Sequence, residues 1–244
     1  RKTMNKIELK HNEVIDFYTK NANEKIVKKL SRYFKEGLDA YGSDKEKAET
    51  QWKLWLEKWE KDMTTEDYLD FGDRLIATGK YEEAHCATYF ILSRQTDFKP
   101  ATFERIGKWL ENGIQNWANT DVLCMLVLSV FIFDKIIQPE DFITWTLSSS
   151  KWKRRAVPVT FVEAIKKGYE SKPFLPVIEN LMEDKEEDVQ KGLGTFLREV
   201  WKNEPEIAEN FLLKWKDKCG RKIIHYATEK MDKTHKAKFK KEKK

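Results

Sequence analysis

Apolar residues recur along this chain at helical spacing. In residues 151–168, KWKRRAVPVTFVEAIKKG, the positions Ala156, Val159, Val162 and Ile165 repeat every three residues. That period predicts a helix with one stripe turned to a core. Pro158 fits such a helix if it begins near Arg154 or Arg155, because first-turn N–H groups have no intrahelical partner. Trp52, Trp55 and Trp59 fall at i, i+3 and i+7 and read as a core stripe. Ser43, with Glu46 three residues on, predicts a capping box that opens KEKAETQWKLWLEKW. Thr64 or Thr65 caps TEDYLDFGDRLIATG, which Gly79 ends. Two further helices are predicted ahead of these, HNEVIDFYTKNAN and EKIVKKLSRYFK. No stretch alternates convincingly with a period of two, so no sheet is expected.

From Gly79 onward the predicted helices come in pairs. The second helix of each pair begins near Tyr81, Asn116, Lys151, Glu186 and Arg221, and successive starts lie 35 residues apart. Several first helices open with proline and an early acid, as in QPEDF and EPEI, which suits N1 proline and the macrodipole. A period in the thirties with paired helices predicts an all-α fold, an α-solenoid in which each pair buries its apolar face on its neighbours. The tetratricopeptide signature is missing. RRAV at 154–157 and DVQKG at 188–192 look like the second helices of HEAT-like repeats. The expectation is therefore about twelve or thirteen helices in one curved domain over 1–231. Such a fold says that the protein binds something and no more.

Charge changes the picture at the C-terminus. Of 46 basic and 41 acidic side chains, seven lysines and two acids lie in 232–244, DKTHKAKFKKEKK, leaving 39 of each elsewhere. The tail is expected to be disordered. The neutral body can present a nucleic-acid surface only by segregating its charges onto one face. Cys86, Cys124 and Cys219 lie far apart and read as buried free thiols in a reducing cytoplasm. Four scattered histidines give no metal-ligand spacing. The longest apolar run, 122–133, is twelve residues, too short to span a bilayer.

Chemistry concentrates at a few positions. Trp117 and Asp121 are four apart in NWANTDVLC. If the helix already runs there, indole and carboxylate share a face; if it starts at Thr120, Trp117 lies in the lead-in loop. Trp152 reads as an exposed aromatic beside Lys153, Arg154 and Arg155. Cations at a helix start oppose the macrodipole, so these serve something other than helix stability. Arg155 lies 34 residues beyond Asp121, at the equivalent end of the next repeat. In a solenoid such ends stack along the concave surface. Each residue also has a plainer reading: Asp121 could complement a helix N-terminus, Trp117 could pack between repeats, and Arg155 could pair with a nearby acid.

WANTDVLC, then KWKRRAV, then VQKGLGTFLREVWKNEPE, together resemble the AlkD-type DNA alkylation-repair glycosylases. The resemblance covers 70–231 well and 20–60 loosely, through RYFKEGLDAYG. It implies a HEAT-like solenoid with a concave groove for double-stranded DNA that carries alkylated bases. It further implies hydrolysis of the N-glycosidic bond of cationic N3- and N7-methyl purines, without metal or cofactor. Trp117 and Arg155 would be cleft residues and Asp121 the catalytic carboxylate. Trp152, Lys153, Arg154, Lys191 and Thr195 are expected to face DNA. Where the family has a second cleft tryptophan, directly after the glycine of QKxxG, this chain has Thr195. A cytoplasmic monomer is expected. The alternatives are a DNA-binding repeat protein of the same fold that does not excise bases, and a protein–protein solenoid.

Overall fold

In the computed structural model, residues 5–242 are described, and among them there are helices and turns but no strand. Contacts divide the chain into two compact units, Arg1–Val127 and Leu128–Lys244, where one domain over 1–231 was the expectation. The division falls inside the apolar helical run after Trp117.

The first unit contains α1 (Lys6–Lys20), α2 (Glu24–Ser31), α3 (Lys45–Trp59), α4 (Thr65–Ala77), α5 (Tyr81–Leu92), α6 (Pro100–Gly107), α7 (Trp109–Asn112) and α8 (Trp117–Leu123). Trp52, Trp55 and Trp59 form the core stripe that their spacing predicts. Trp55 and Trp59 stack at 5.6 Å, and the Trp52 indole N–H donates to the Tyr18 hydroxyl at 2.8 Å. Burying each such ring is worth roughly 1.5–3 kcal/mol. Thr64 caps α4 in a capping box with Asp67. Gly79 follows α4 with φ +72°, the left-handed turn that glycine adopts without strain. The cap of α3 departs from expectation. Asp44, not Ser43, accepts the N–H of Lys47, at 2.9 Å.

The second unit contains α9 (Ser129–Phe133), α10 (Lys151–Lys166), α11 (Leu175–Glu179), α12 (Glu187–Asn203), α13 (Pro205–Trp215), α14 (Arg221–Ala227) and α15 (Lys233–Ala237). α12 packs between α10 and α14. Two glycines of QKGLG allow this. A Cβ on Gly192 would lie 3.3–3.4 Å from Val159, Arg155 and Pro158 of α10. A Cβ on Gly194 would lie 2.5 Å from Tyr226 Cβ and 2.8 Å from the Ile223 carbonyl of α14. The predicted helix in PEDFITWTLSS is a pair of 3₁₀ turns, Pro139–Phe142 and Thr144–Leu147.

α10 begins at Lys151, capped by Ser150, so Pro158 sits inside the helix rather than in its first turn. Residues 155–162 are all buried, including the stripe predicted from Ala156, Val159 and Val162. Packing on every face outweighs the hydrogen bond that proline removes. The segment expected to be a disordered tail carries α15, capped by Asp232, and a fully buried Phe239. His235 contacts Glu209 and stacks on Phe239 at 6.4 Å, while the Glu242 N–H donates to Asp217 at 3.0 Å. Residues 243–244 of that expectation lie outside the described residues.

Candidate functional site

Asn116 caps α8, accepting the N–H of Asn119 at 2.8 Å, so the helix already runs at Trp117. Trp117 and Asp121 therefore share one face, a turn apart. Just beyond, Cys124–Leu128 widen into a π-helical turn, a feature frequent at functional sites.

Trp117 is 38% exposed, and its covered side is held by a turn after α2. Its indole N–H donates to the Tyr33 carbonyl at 3.1 Å, and its ring stacks on Phe34 at 5.6 Å and 19°. Phe34 in turn meets Tyr81 edge-on at 5.9 Å, and Tyr81 meets His85 at 4.5 Å. The chain after that turn is pinned to α5. The Tyr81 N–H donates to the Asp39 carbonyl, and Glu82 accepts the N–H groups of Tyr41 and Gly42, each at 2.8 Å. Glu83 accepts the Tyr41 hydroxyl at 2.8 Å and bridges to His11 at 2.5 Å. Gly42 has φ +80°, and a Cβ there would collide with the Asn23 backbone. A rigid base thus presents one face of the Trp117 ring beside the half-buried Asp121.

Around this base, burial governs the shifted groups. It lowers His85 to about 4, with Lys45 adding to the effect, so the imidazole beside Tyr81 is neutral at neutral pH. Burial also pushes the Cys86 thiol and the Tyr41 phenol up, the latter reinforced by Glu83. Cys86 is an inert core thiol; all three cysteines are buried and unbridged.

The second unit holds the other residues singled out by sequence, and their settings differ from expectation. Trp152 is 9% exposed, not an open aromatic, with Lys151 Nζ 4.7 Å over its ring. Lys153 is buried, its ammonium 5.1 Å from the Trp145 ring. Arg154 donates to Asp184 at 2.7 and 3.4 Å and to the carbonyls of Ser148 and Ser149. Arg155 is 8% exposed, and its Nη1 donates to the Asp188 carbonyl at 2.6 Å. These partners lie 30 and 33 residues along the chain, which is why the local pattern does not show them. On α12, Lys191 and Thr195 are half-buried, and the Thr195 hydroxyl donates back to the Lys191 carbonyl at 2.9 Å.

Sequence reasoning missed Phe34, Tyr81 and His85 as the support of Trp117; aromatics in RYF and just after Gly79 were the available signal. Among the described residues no group of three or more His, Cys, Asp or Glu is placed to hold a metal ion. No described helix is long and apolar enough to cross a membrane.

The sequence pattern of the DNA alkylation repair enzymes matches residues 16–231. The chain belongs to that family. It is similar in structure to a predicted DNA alkylation repair enzyme from Enterococcus faecalis, with a TM-score of 0.73 and 15% sequence identity over 87% of this chain and 98% of that one. At that identity the likeness shows the fold, all-helical and consistent with a helical solenoid. No curated protein matches the sequence. Membership of the DNA alkylation repair family gives this chain a role in the repair of alkylated DNA, with DNA as its partner. The family match ends at residue 231, so α15 and the segment after it lie beyond it.

Proposed function

We propose that this member of the DNA alkylation repair family is an AlkD-type N-glycosylase, which hydrolyses the N-glycosidic bond of cationic N3- and N7-methyl purines in duplex DNA. One observation carries the reading: Asp121 lies one helical turn from a half-exposed, rigidly held Trp117, on the same face of α8. A methylated purine is already cationic and leaves without a general acid. Positive charge then develops on the sugar, which the Asp121 carboxylate stabilises while orienting water. The open Trp117 face attracts a cationic base or sugar by roughly 0.5–2 kcal/mol. On α12 we assign phosphate contact to Lys191, with Thr195 as its neighbour at the DNA surface. Arg154 is committed to Asp184, and Arg155 has one nitrogen on the Asp188 carbonyl, so both serve the scaffold first.

Single-turnover release of methylated base from duplex tests this. Asp121→Asn keeps the side chain's shape and removes its charge. Excision is expected to fall about a hundredfold or more, as roughly 3 kcal/mol of electrostatic stabilisation is lost, with thermal melting unchanged. A folded variant that excises at the parental rate takes Asp121 out of the mechanism. Thr195, which leaves α12 without the family's second cleft tryptophan, favours a second reading: duplex binding without excision. A parent that binds duplex and releases no base establishes it.

A further inference from the structure

The second unit carries a concavity of about 420 Å³ remote in sequence from the residues above, between α14 and the segment that follows the family match. Its rim is cationic, Arg221, Lys222, Lys236 and Lys240, with His225 beside them. Its floor is apolar, made by the buried Ile224 and Phe239. No carboxylate lines it.

Several cations elsewhere on this unit are matched. Lys151 pairs with Asp188, Arg154 with Asp184, Arg198 with Glu229, Lys202 with Glu199 and Lys214 with Glu179. Arg221, Lys222, Lys236 and Lys240 form no ion pair among the described residues. Like charges gathered around one hollow repel each other, and a protein keeps such a cluster at a cost in stability unless an anion relieves it. The cluster is also held in place: buried Phe239, the contact of His235 with Glu209, and the Lys216 ammonium on the Lys240 carbonyl at 3.4 Å fix residues 232–242 against the unit.

We infer that residues 232–242 complete a pocket that binds the phosphate of a nucleotide, the cationic rim taking the phosphate. The phosphate comes from a DNA strand or from a free nucleotide. The strand source rests on the repair reading above; the pocket itself does not. In the strand case the pocket anchors duplex through residues beyond the family's own match.

Two measurements test it, on the full chain. Arg221 and Lys240 are exposed, so Arg221→Gln/Lys240→Gln is expected to fold as the parent does. Duplex affinity measured across a salt series is expected to fall at every salt concentration below the parent's. The slope of log affinity against log salt is expected to shrink by about two, one for each cation removed. In parallel, the His225 ring resonance, one of four histidine signals, is followed during titration with a short duplex and with deoxyadenosine monophosphate. A shift at low duplex concentration, with the monophosphate acting only at far higher concentration, assigns a strand phosphate. A parent that ignores duplex while the monophosphate shifts His225, and a double variant that shows no shift, assign a free nucleotide and overturn the repair reading instead. A double variant that matches the parent in affinity and slope, with His225 unmoved by both ligands, overturns the pocket and leaves the repair reading standing.

Discussion

Gly194→Ala separates the scaffold of the QKGLG motif from its chemistry. A helix-interior glycine is about 0.8–1 kcal/mol less favourable than alanine, so on propensity alone the change stabilises α12. Geometry opposes it. The new methyl would lie 2.5 Å from Tyr226 Cβ and 2.8 Å from the Ile223 carbonyl oxygen. The second neighbour is backbone and cannot rotate away, so α12 and α14 must separate. Overpacking of this kind costs typically 1–3 kcal/mol, which leaves a net loss of about 0–2 kcal/mol, toward the upper end because a backbone oxygen is among the clashing atoms. Gly192→Ala is the internal control. Its methyl meets only side-chain carbons at 3.3–3.4 Å, so crowding and propensity roughly cancel. Urea unfolding read by circular dichroism compares the three proteins. The expected order has Gly194→Ala below the parent and Gly192→Ala within about 0.5 kcal/mol of it. A Gly194→Ala protein as stable as the parent would falsify the close approach of α12 to α14.

Two further substitutions probe charges that the fold has enclosed. Arg154→Ala leaves the nearly buried Asp184 without its counter-ion, and about 2–4 kcal/mol of stability should be lost, measured by chemical denaturation; an unchanged midpoint would mean that the pair is idle. His85 has its pKa lowered in the folded state to about 4 against 6.5 unfolded, so the unfolded chain binds more protons between those values. Its contribution is complete above pH 6.5 and is lost as pH falls toward 4, amounting to about 1–2 kcal/mol once its partial exposure is discounted. His85→Phe should flatten that acid limb in a series of melts from pH 7 to 4, and an identical limb would show that the ring titrates freely.

The order of helices was legible because its signals are local. Second-helix starts read near 81, 116, 151, 186 and 221 are found at Tyr81, Trp117, Lys151, Glu187 and Arg221, set by caps and turn residues on the spot. The Trp52, Trp55 and Trp59 stripe was legible for the same reason, since period alone assigns a face. Burial of charge was not legible. Arg154 and Trp152 read as surface, yet Arg154 is paired with Asp184 and Trp152 is buried, and nothing within ten residues announces that. Ser43 and Asp44 are both good caps, and only the backbone decides which oxygen meets the N–H of Lys47. In the lysine-rich tail one aromatic, Phe239, finds a site and orders a segment that its composition marks as disordered.

The charge balance leads to the same division of roles. A body with 39 basic and 39 acidic side chains can attract a polyanion only where some cations lack partners. The basic run KWKRR is the most conspicuous in the sequence, yet Lys151 and Arg154 are neutralised by Asp188 and Asp184, and Arg155 is enclosed. That run holds α10 to α12, and its charge contributes little field to solvent. Around one hollow of the second unit, by contrast, Arg221 and Lys222 of α14 meet Lys236 and Lys240 of a segment whose sequence looks like an ordinary solubilising tail. On the proposed reading, electrostatic attraction and chemistry then fall to different parts of the chain. The one would depend on cations left unpaired, the other on the Asp121 carboxylate and Trp117 indole of α8, and on that reading each can be removed by mutation without touching the other.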